Sequence, residues 1–327
     1  MSHSRLSLAV DDGGLVLPSE GRIAVFSARA GFDLSALARD ACEIIQPLRP
    51  DFEAFERAGL TCAIRETGRY EAALVCLPRA KAQARDMIAR AADCSDLVIV
   101  DGQKTDGAES LLKDCRKRAD VIGTISKAHG KLFWFANGDF ADWRAPHRRE
   151  IEEEFVTGAG VFSVDGIDPA SRALAEALPQ KLGRNVADLG AGWGYLAREI
   201  LNRDTVETLY LIEADHTALD CARENIVDDR ASFHWADATN WVARARMDTV
   251  IMNPPFHTGR AAEPALGVAF IDAAARMLAP SGQLWMVANR HLPYETTLNA
   301  RFQQVEEVAG DNRFKVLHAS RPARTRK

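Results

Sequence analysis

The chain has 327 residues, enough for two domains, and its 47% apolar and 27% charged residues are ordinary globular usage. Its 41 Lys and Arg against 46 Asp and Glu leave a formal net charge of −5, which excludes a histone-like or tail-driven nucleic-acid binder but not recognition through a local basic patch. The surplus acid lies in the second half: residues 1–150 carry 22 basic and 22 acidic side chains, and residues 151–327 carry 19 and 24. The six cysteines, Cys42, Cys62, Cys76, Cys94, Cys115 and Cys221, form no CxxC pair and read as unpaired thiols of a reducing cytoplasm. The first residues lack a basic start followed by an apolar core, so no signal peptide is expected, and no apolar run is long enough for a membrane span.

In chain order, Ala72–Leu77 reads as a buried strand, Ala80–Ala92 as a helix, Leu97–Val100 as a strand, Gly107–Arg118 as a helix and Leu132–Phe135 as a strand. That alternation predicts a parallel sheet covered on both faces. The charged, weakly periodic stretch from Gly138 to Glu154 marks a domain boundary within Asp139–Phe155, giving domains at 1–150 and 155–327. The alternation then restarts. Asp168-Pro169 is a helix cap with proline at the first helical position, ahead of Ala170–Leu178. Strands are expected at Val186–Leu189, Thr208–Ile212, Ala231–Trp235, Thr249–Met252 and Gln283–Ala288. Helices are expected at Tyr195–Asn202, Thr217–Asn225 and Pro264–Leu278. Gln303–Val308 and Phe314–His318 read as a closing hairpin around Ala309–Arg313. The predicted fold is α/β, with two tandem doubly wound, Rossmann-like domains.

The strongest local signal is Asp188-Leu189-Gly190-Ala191-Gly192-Trp193-Gly194, between a strand and a helix. Its G-x-G-x-G spacing departs from the dinucleotide fingerprint, and Asp188 would repel a phosphate. Asp188 suits a ligand with an ammonium group, and S-adenosylmethionine is such a ligand. Glu213, at the end of the next strand, can accept from two ribose hydroxyls. Asp237, followed by Ala238, can accept from an adenine amino group or make an Asx-turn. The fourth strand stops at Asn253-Pro254-Pro255-Phe256, where two prolines fix a rigid turn. The Asn253 amide oxygen and the Pro254 carbonyl then match the two hydrogens of a planar NH2 group, and Phe256 can stack on a flipped base. His257 follows as a candidate for base or phosphate contact. No metal-binding spacing is present.

These segments carry a resemblance. The second half is similar to class I S-adenosylmethionine methyltransferases of the small-domain type, and more closely to the bacterial ribosomal RNA guanine-N2 methyltransferases. The similar segments are Gly160–Ser163 with Ile167-Asp168, the run from Asp188 to Leu196, Asn253–Gly259, Val287–Leu298 and Gly310–Val316. Ala191 stands where that family often has cysteine, and Trp193 is bulkier than usual. The resemblance implies methyl transfer to the exocyclic N2 of a guanine in 16S ribosomal RNA, with the free RNA or the small ribosomal subunit as partner. It also implies cofactor contacts at Asp188, Gly190, Ala191, Gly192, Gly194, Glu213, Asp237, Ala238 and Asn253. The base would be held by Asn253, Pro254, Pro255 and Phe256. The first half would be a degenerate copy without a cofactor site that holds RNA or supports the other half, the chain being a cytoplasmic monomer with an internal pseudo-dimer. Alternatives are a 23S guanine, an adenine N6 or a protein glutamine as acceptor, or an inactive RNA-binding assembly factor. For RNA, Lys113, Arg116, Lys117 and Arg118 crowd one helix end. Lys127, His129, Lys131, Arg144, His147, Arg148 and Arg149 follow, with Trp134 and Trp143 interleaved, and Arg321–Lys327 reads as a disordered basic tail.

Overall fold

A computed structural model describes residues 4–152, 154–255 and 264–323. The chain divides into two compact units, Met1–His147 and Arg148–Lys327.

The first unit runs α1 (Arg5–Asp11), β1 (Ile23–Phe26), β2 (Cys42–Ile45), α2 (Arg49–Arg57), β3 (Thr61–Ala63), β4 (Tyr70–Cys76), α3 (Lys81–Cys94), β5 (Ser95–Gln103), α4 (Ala108–Cys115), β6 (Ala119–Lys127) and β7 (Gly130–Gly138). Its seven strands lie in the order β3-β2-β1-β4-β5-β7-β6. The expectation of an all-parallel sheet is corrected at one edge, because β7 pairs antiparallel with both β5 and β6. The turn from β6 to β7 consists of Ala128 and His129, both left-handed at φ 50° and 56°. A two-residue hairpin needs that conformation, and Asn-Gly usually supplies it. Ala-His gives no such signal, so Leu132–Phe135 looked like one more parallel strand.

The second unit runs β8 (Arg149–Ile151), β9 (Phe155–Thr157), α5 (Pro169–Ala177), β10 (Asn185–Leu189), α6 (Tyr195–Leu201), β11 (Thr208–Glu213), α7 (His216–Asn225), β12 (Ala231–Trp235), β13 (Met247–Met252), α8 (Pro264–Met277), β14 (Leu278–Asn289), α9 (Tyr294–Arg301), β15 (Phe302–Gly310) and β16 (Phe314–Pro322). The strand order is β12-β11-β10-β13-β14-β16-β15, the same topology again. Both sheets reverse direction at the first strand pair, β1/β4 and β10/β13, which is where doubly wound folds open a crevice. The closing hairpin turns on Asp311, whose carboxylate accepts from the Arg313 and Phe314 amides at 2.7 and 2.8 Å. Arg321 and Pro322 belong to β16, and Pro322 faces Phe302 across the ladder. The basic tail is thus ordered at its start, while residues 324–327 lie outside the described residues.

Two tandem doubly wound domains are therefore present, and their register shows that the first is degenerate. Phe26 pairs with Ile45 and Val75 as Leu189 pairs with Ile212 and Met252. The Ser27 amide donates to the Ile45 carbonyl as Gly190 donates to Ile212. On this alignment Ser27-Ala28-Arg29 takes the place of Gly190-Ala191-Gly192, Gln46 that of Glu213, and Cys76-Leu77-Pro78 that of Asn253-Pro254-Pro255.

In the second unit, α8 and α9 pack through Gly267, where an added Cβ would lie 2.1 Å from the Tyr294 hydroxyl oxygen. Tyr294 is buried and its ring has no room to swing away. Gly267→Ala should gain about 1 kcal/mol of helix propensity and lose about 1–3 kcal/mol to overpacking. A lowered urea midpoint is expected; an unchanged or raised one would show that the helices separate without cost.

Candidate active site

The carboxyl ends of β10, β11, β12 and β13 bring most of the sequence-predicted residues to one edge of the second sheet. Asp188 is in β10, buried completely, and neither carboxylate oxygen has a hydrogen-bond partner among the described residues. Burial raises its pKa to about 8, with the nearby charge of Glu213 adding to the effect. Glu213 ends β11 and retains some solvent access. Its Oε2 accepts from the Gly192 amide at 2.8 Å and its Oε1 from the Asp215 amide at 2.7 Å. Burial still raises its pKa to about 7, against the lowering effect of those amides.

The glycine turn explains what this edge prefers to bind. Gly190, Gly192 and Gly194 all have left-handed φ, at 74°, 56° and 96°. A Cβ on Gly192 would meet nothing within 4 Å, so the backbone there is open to an approaching molecule. The loop amides, however, point inward. Those of Gly190 and Ala191 go to the Ile212 carbonyl, that of Gly192 to Glu213 and that of Gly194 to the Ala191 carbonyl. An anion-binding turn needs free N–H groups. This one has spent four of them and adds two carboxylates, so a cation fits and a pyrophosphate does not. Trp193 does not crowd the opening: it is buried, its ring centroid 5.1 Å from that of Phe155, and its indole N–H donates to the Phe162 carbonyl at 3.0 Å.

Asp237 makes the Asx-type turn that was the alternative reading. Its Oδ1 accepts from the Thr239 amide and hydroxyl at 2.8 and 2.6 Å, and its Oδ2 from Asn240 Nδ2 at 3.0 Å. Ala238 beside it is buried. Asn253 leaves β13 with its amide fixed: Nδ2 donates to Asp168 Oδ2 at 2.9 Å and to Ser171 Oγ at 2.8 Å. Its Oδ1 is buried and has no partner among the described residues. Pro254 is buried and Pro255 exposed. Phe256 and His257 lie outside the described residues. Sequence reasoning found Asp168 only as a helix cap and did not find Ser171 at all.

The basic residues need correction. Trp134 and Trp143 are core residues, at 2% and 6% exposure, and cannot stack on bases. Arg118 forms an ion pair with Asp142, Arg144 with Asp93, Arg148 with Glu224 and Arg149 with Asp165. These arginines are engaged within the fold, which a count of charges does not reveal. Lys113, Arg116 and Lys117 are exposed, with no ion-pair partner among the described residues. They lie in the first unit.

The family profile described as methyltransferase small domain matches residues 152–318. The chain belongs to that family. Among curated relatives, the ribosomal RNA large subunit methyltransferase G of Streptomyces coelicolor is 36% identical over 169 residues, covering 50% of this chain and 45% of that protein. The ribosomal RNA small subunit methyltransferase C of Hahella chejuensis is 29% identical over 233 residues, covering 67% and 68%. The chain spans about half the length of the large-subunit relatives it matches. A solved T. thermophilus 16S rRNA N2 methyltransferase, in complex with AdoMet and guanosine, superposes with a TM-score of 0.76 at 24% identity, over 94% of this chain and 90% of that one. This likeness extends the shared fold over both units. The methyltransferase small domain thus includes Asp188, Glu213, Asp237 and Asn253. Among the described residues no helix is long and apolar enough to cross a membrane, and no group of three metal-ligating side chains occurs.

The raised carboxyl pKa values carry a pH signature. Folded Asp188 and Glu213 hold protons up to about pH 8 and 7, whereas the unfolded chain releases them near 3.8 and 4.5. The native state therefore binds more protons across this window, so its stability falls as pH rises from about 4 to 8. Melting of the ligand-free protein between pH 5 and 8 should show that decline, and Asp188→Asn should make it shallower, leaving the Glu213 contribution. An identical slope in the variant would mean that Asp188 does not titrate there.

Proposed function

We propose that the chain is an S-adenosylmethionine-dependent methyltransferase acting on the exocyclic N2 of a guanine in ribosomal RNA. The observation that carries this reading is Asn253: its amide nitrogen is clamped, and its oxygen is buried without a donor among the described residues, at the end of a strand that stops in two prolines. Such an acceptor is costly to leave unmet, and an exocyclic NH2 meets it. The cofactor fits the same edge. The uncompensated Asp188 carboxylate suits an ammonium group, Glu213 suits ribose hydroxyls, and the Asp237–Ala238 turn suits an adenine edge. The open backbone at Gly192 leaves room between them.

S-adenosylmethionine supplies a methyl group whose C–S bond electrons stay with sulfur as the acceptor nitrogen's lone pair bonds to carbon. The chain's own contribution is to aim that lone pair. A guanine N2 is conjugated with its ring and nucleophilically weak. Hydrogen bonds from both its hydrogens, to Asn253 Oδ1 and the Pro254 carbonyl, favour pyramidalisation and concentrate the lone pair on the face opposite them. No strong base is required, since the amine becomes acidic once methylated and loses its proton to water. A base must leave its stack to reach this pocket, and Phe256 and His257, directly after the turn, are the proposed contacts for it.

The small subunit's 16S RNA is favoured over 23S by the extent of likeness. The small-subunit relative aligns over about two thirds of both chains, the large-subunit relatives over about half. In this reading the first unit binds no cofactor, having Gln46 where the second has Glu213, and contributes to holding RNA through Lys113, Arg116 and Lys117.

Asn253→Ala should lower methyl transfer by about 100- to 1,000-fold, as loss of one positioned hydrogen bond does, while the affinity for S-adenosylmethionine changes only a few-fold. Mass spectrometry of nucleosides from 16S and 23S RNA of cells lacking the gene should show loss of one N2-methylguanosine from 16S. Loss of N6-methyladenosine instead, or full transfer by Asn253→Ala, would refute the reading. Replacing Lys113, Arg116 and Lys117 together by alanine should reduce the slope of log affinity for RNA against log salt by about 2; an unchanged slope removes them from the RNA surface.

A further inference from the structure

We infer that Asp168 and Ser171 are positioning residues that fix which end of the Asn253 amide faces the reacting nitrogen. The inference rests on the reading of Asn253 as the amine-binding side chain. Asp168 caps α5: its Oδ2 accepts from the Ser171 amide at 2.8 Å. The same oxygen accepts from Asn253 Nδ2 at 2.9 Å, and the Ser171 hydroxyl oxygen accepts from Nδ2 at 2.8 Å. The amide NH2 is thus held by two acceptors 85 and 82 residues away in sequence, both in the first turn of one helix.

The chemistry of the acceptors sets the direction. An ionised carboxylate has no proton to donate. Turning the Asn253 amide over would set its oxygen against the Asp168 carboxylate at the distance where the NH2 now sits, replacing attraction with repulsion. The amide is therefore locked with Nδ2 toward α5, leaving Oδ1, buried and without a partner among the described residues, to receive an incoming amine. An unlocked amide would present NH2 to an incoming NH2 in part of the molecules, and a donor facing a donor holds nothing. Pro169 at the first helical position reinforces the arrangement, because its fixed φ sets the turn from which Asp168 and Ser171 project.

A purely structural cap would explain the Asp168 contact to the Ser171 backbone but not the Ser171 hydroxyl contact, which the cap does not use. That difference makes the two roles separable. Ser171→Ala keeps the backbone N–H that Asp168 caps and removes one acceptor from Asn253. Asp168→Ser keeps a good capping side chain, but its hydroxyl is one bond too short to reach Asn253 and can donate as well as accept. The test is single-turnover transfer from labelled S-adenosylmethionine to total ribosomal RNA of cells lacking the gene. It is run beside thermal melting and cofactor-binding calorimetry, and repeated with each substitution in the Asn253→Ala background.

The expected result is a transfer rate lowered about 3- to 10-fold in Ser171→Ala and about 10- to 100-fold in Asp168→Ser, the scale of a modest misplacement at a reacting centre. The variants should stay folded with melting temperatures lowered by only a few degrees, cofactor affinity should stay at the wild-type value, and neither substitution should slow Asn253→Ala further. Wild-type rates in both single variants, or a loss that persists in the Asn253→Ala background, would overturn the positioning role while leaving Asn253 in place. If Asn253→Ala itself transfers at the wild-type rate, the reading of Asn253 fails, and the positioning role with it.

Discussion

The carboxyl edge of the second sheet is organised around a buried carboxyl group that has no hydrogen-bond partner among the described residues. Asp188 lies in β10, an interior strand that pairs in parallel with β11 on one side and β13 on the other, and its carboxyl group is wholly enclosed. Burying an ionised carboxylate without a partner is among the costlier things a chain can do. The carboxyl group responds by holding its proton to about pH 8. Parallel pairing then places Glu213 and Asn253 one residue beyond the paired Leu189-Ile212-Met252 row. The ladder that buries the apolar strands is thus the device that gathers three polar side chains at one edge.

The remaining groups are arranged around that carboxyl group. The glycine turn spends its amides on the Ile212 carbonyl and on Glu213, so it offers no positive nest to compete with a cationic ligand. Asp237 ties up its own loop through Thr239 and Asn240, which holds the β12 end rigid beside the site. The α5 cap reaches across to Asn253. Two of these side chains, Asp188 and Asn253, keep buried atoms with no partner among the described residues. Unmet buried groups gathered at one edge of a sheet otherwise well satisfied are the mark of a site shaped for something else to complete.

Much of this was legible in the sequence, and the parts that were not have physical reasons. Most of the second half's strands and helices were read near their true positions because their apolar runs are bounded by caps, glycines and prolines such as Asp168-Pro169, Gly194 and Asp311, but the short strands Arg149–Ile151 and Phe155–Thr157 and the helix Tyr294–Arg301 were not read. Ile23–Phe26 and Cys42–Ile45 were not read, although apolar runs of the same length elsewhere, such as Leu97–Val100, were. The β6–β7 hairpin was hidden by its Ala-His turn. At the site, Asp188, Glu213 and Asn253 announced themselves by standing at strand ends. Ser171 did not, because a hydroxyl inside a helix carries no signal until the strand it touches is in place. The arginines between 118 and 149 misled for the converse reason, since their acidic partners lie 16 to 76 residues away in the chain.

The first unit shows what the same topology does without that carboxyl group. Gln46 occupies the place of Glu213, and where Glu213 accepts a loop amide, Gln46 donates to the Ala28 carbonyl at 2.7 Å while its oxygen accepts from the Leu48 amide at 3.0 Å. An amide can satisfy a carbonyl and an N–H at once without any charge to desolvate. Val25, paired in the ladder as Asp188 is, fills the central strand with an apolar side chain. Arg29 takes the position of Gly192 and closes the turn by pairing with Asp51 at 2.9 Å. Every group that the second unit leaves exposed to a ligand is here neutral, paired or replaced by apolar bulk. The contrast separates the cost of the fold from the cost of the site. The sheet order and the loop-to-strand hydrogen bond survive in both units, so they belong to folding. Among the described residues, a buried carboxyl group with no partner, an open glycine turn and an unmet amide oxygen come together in the second unit only, so folding this topology does not require them.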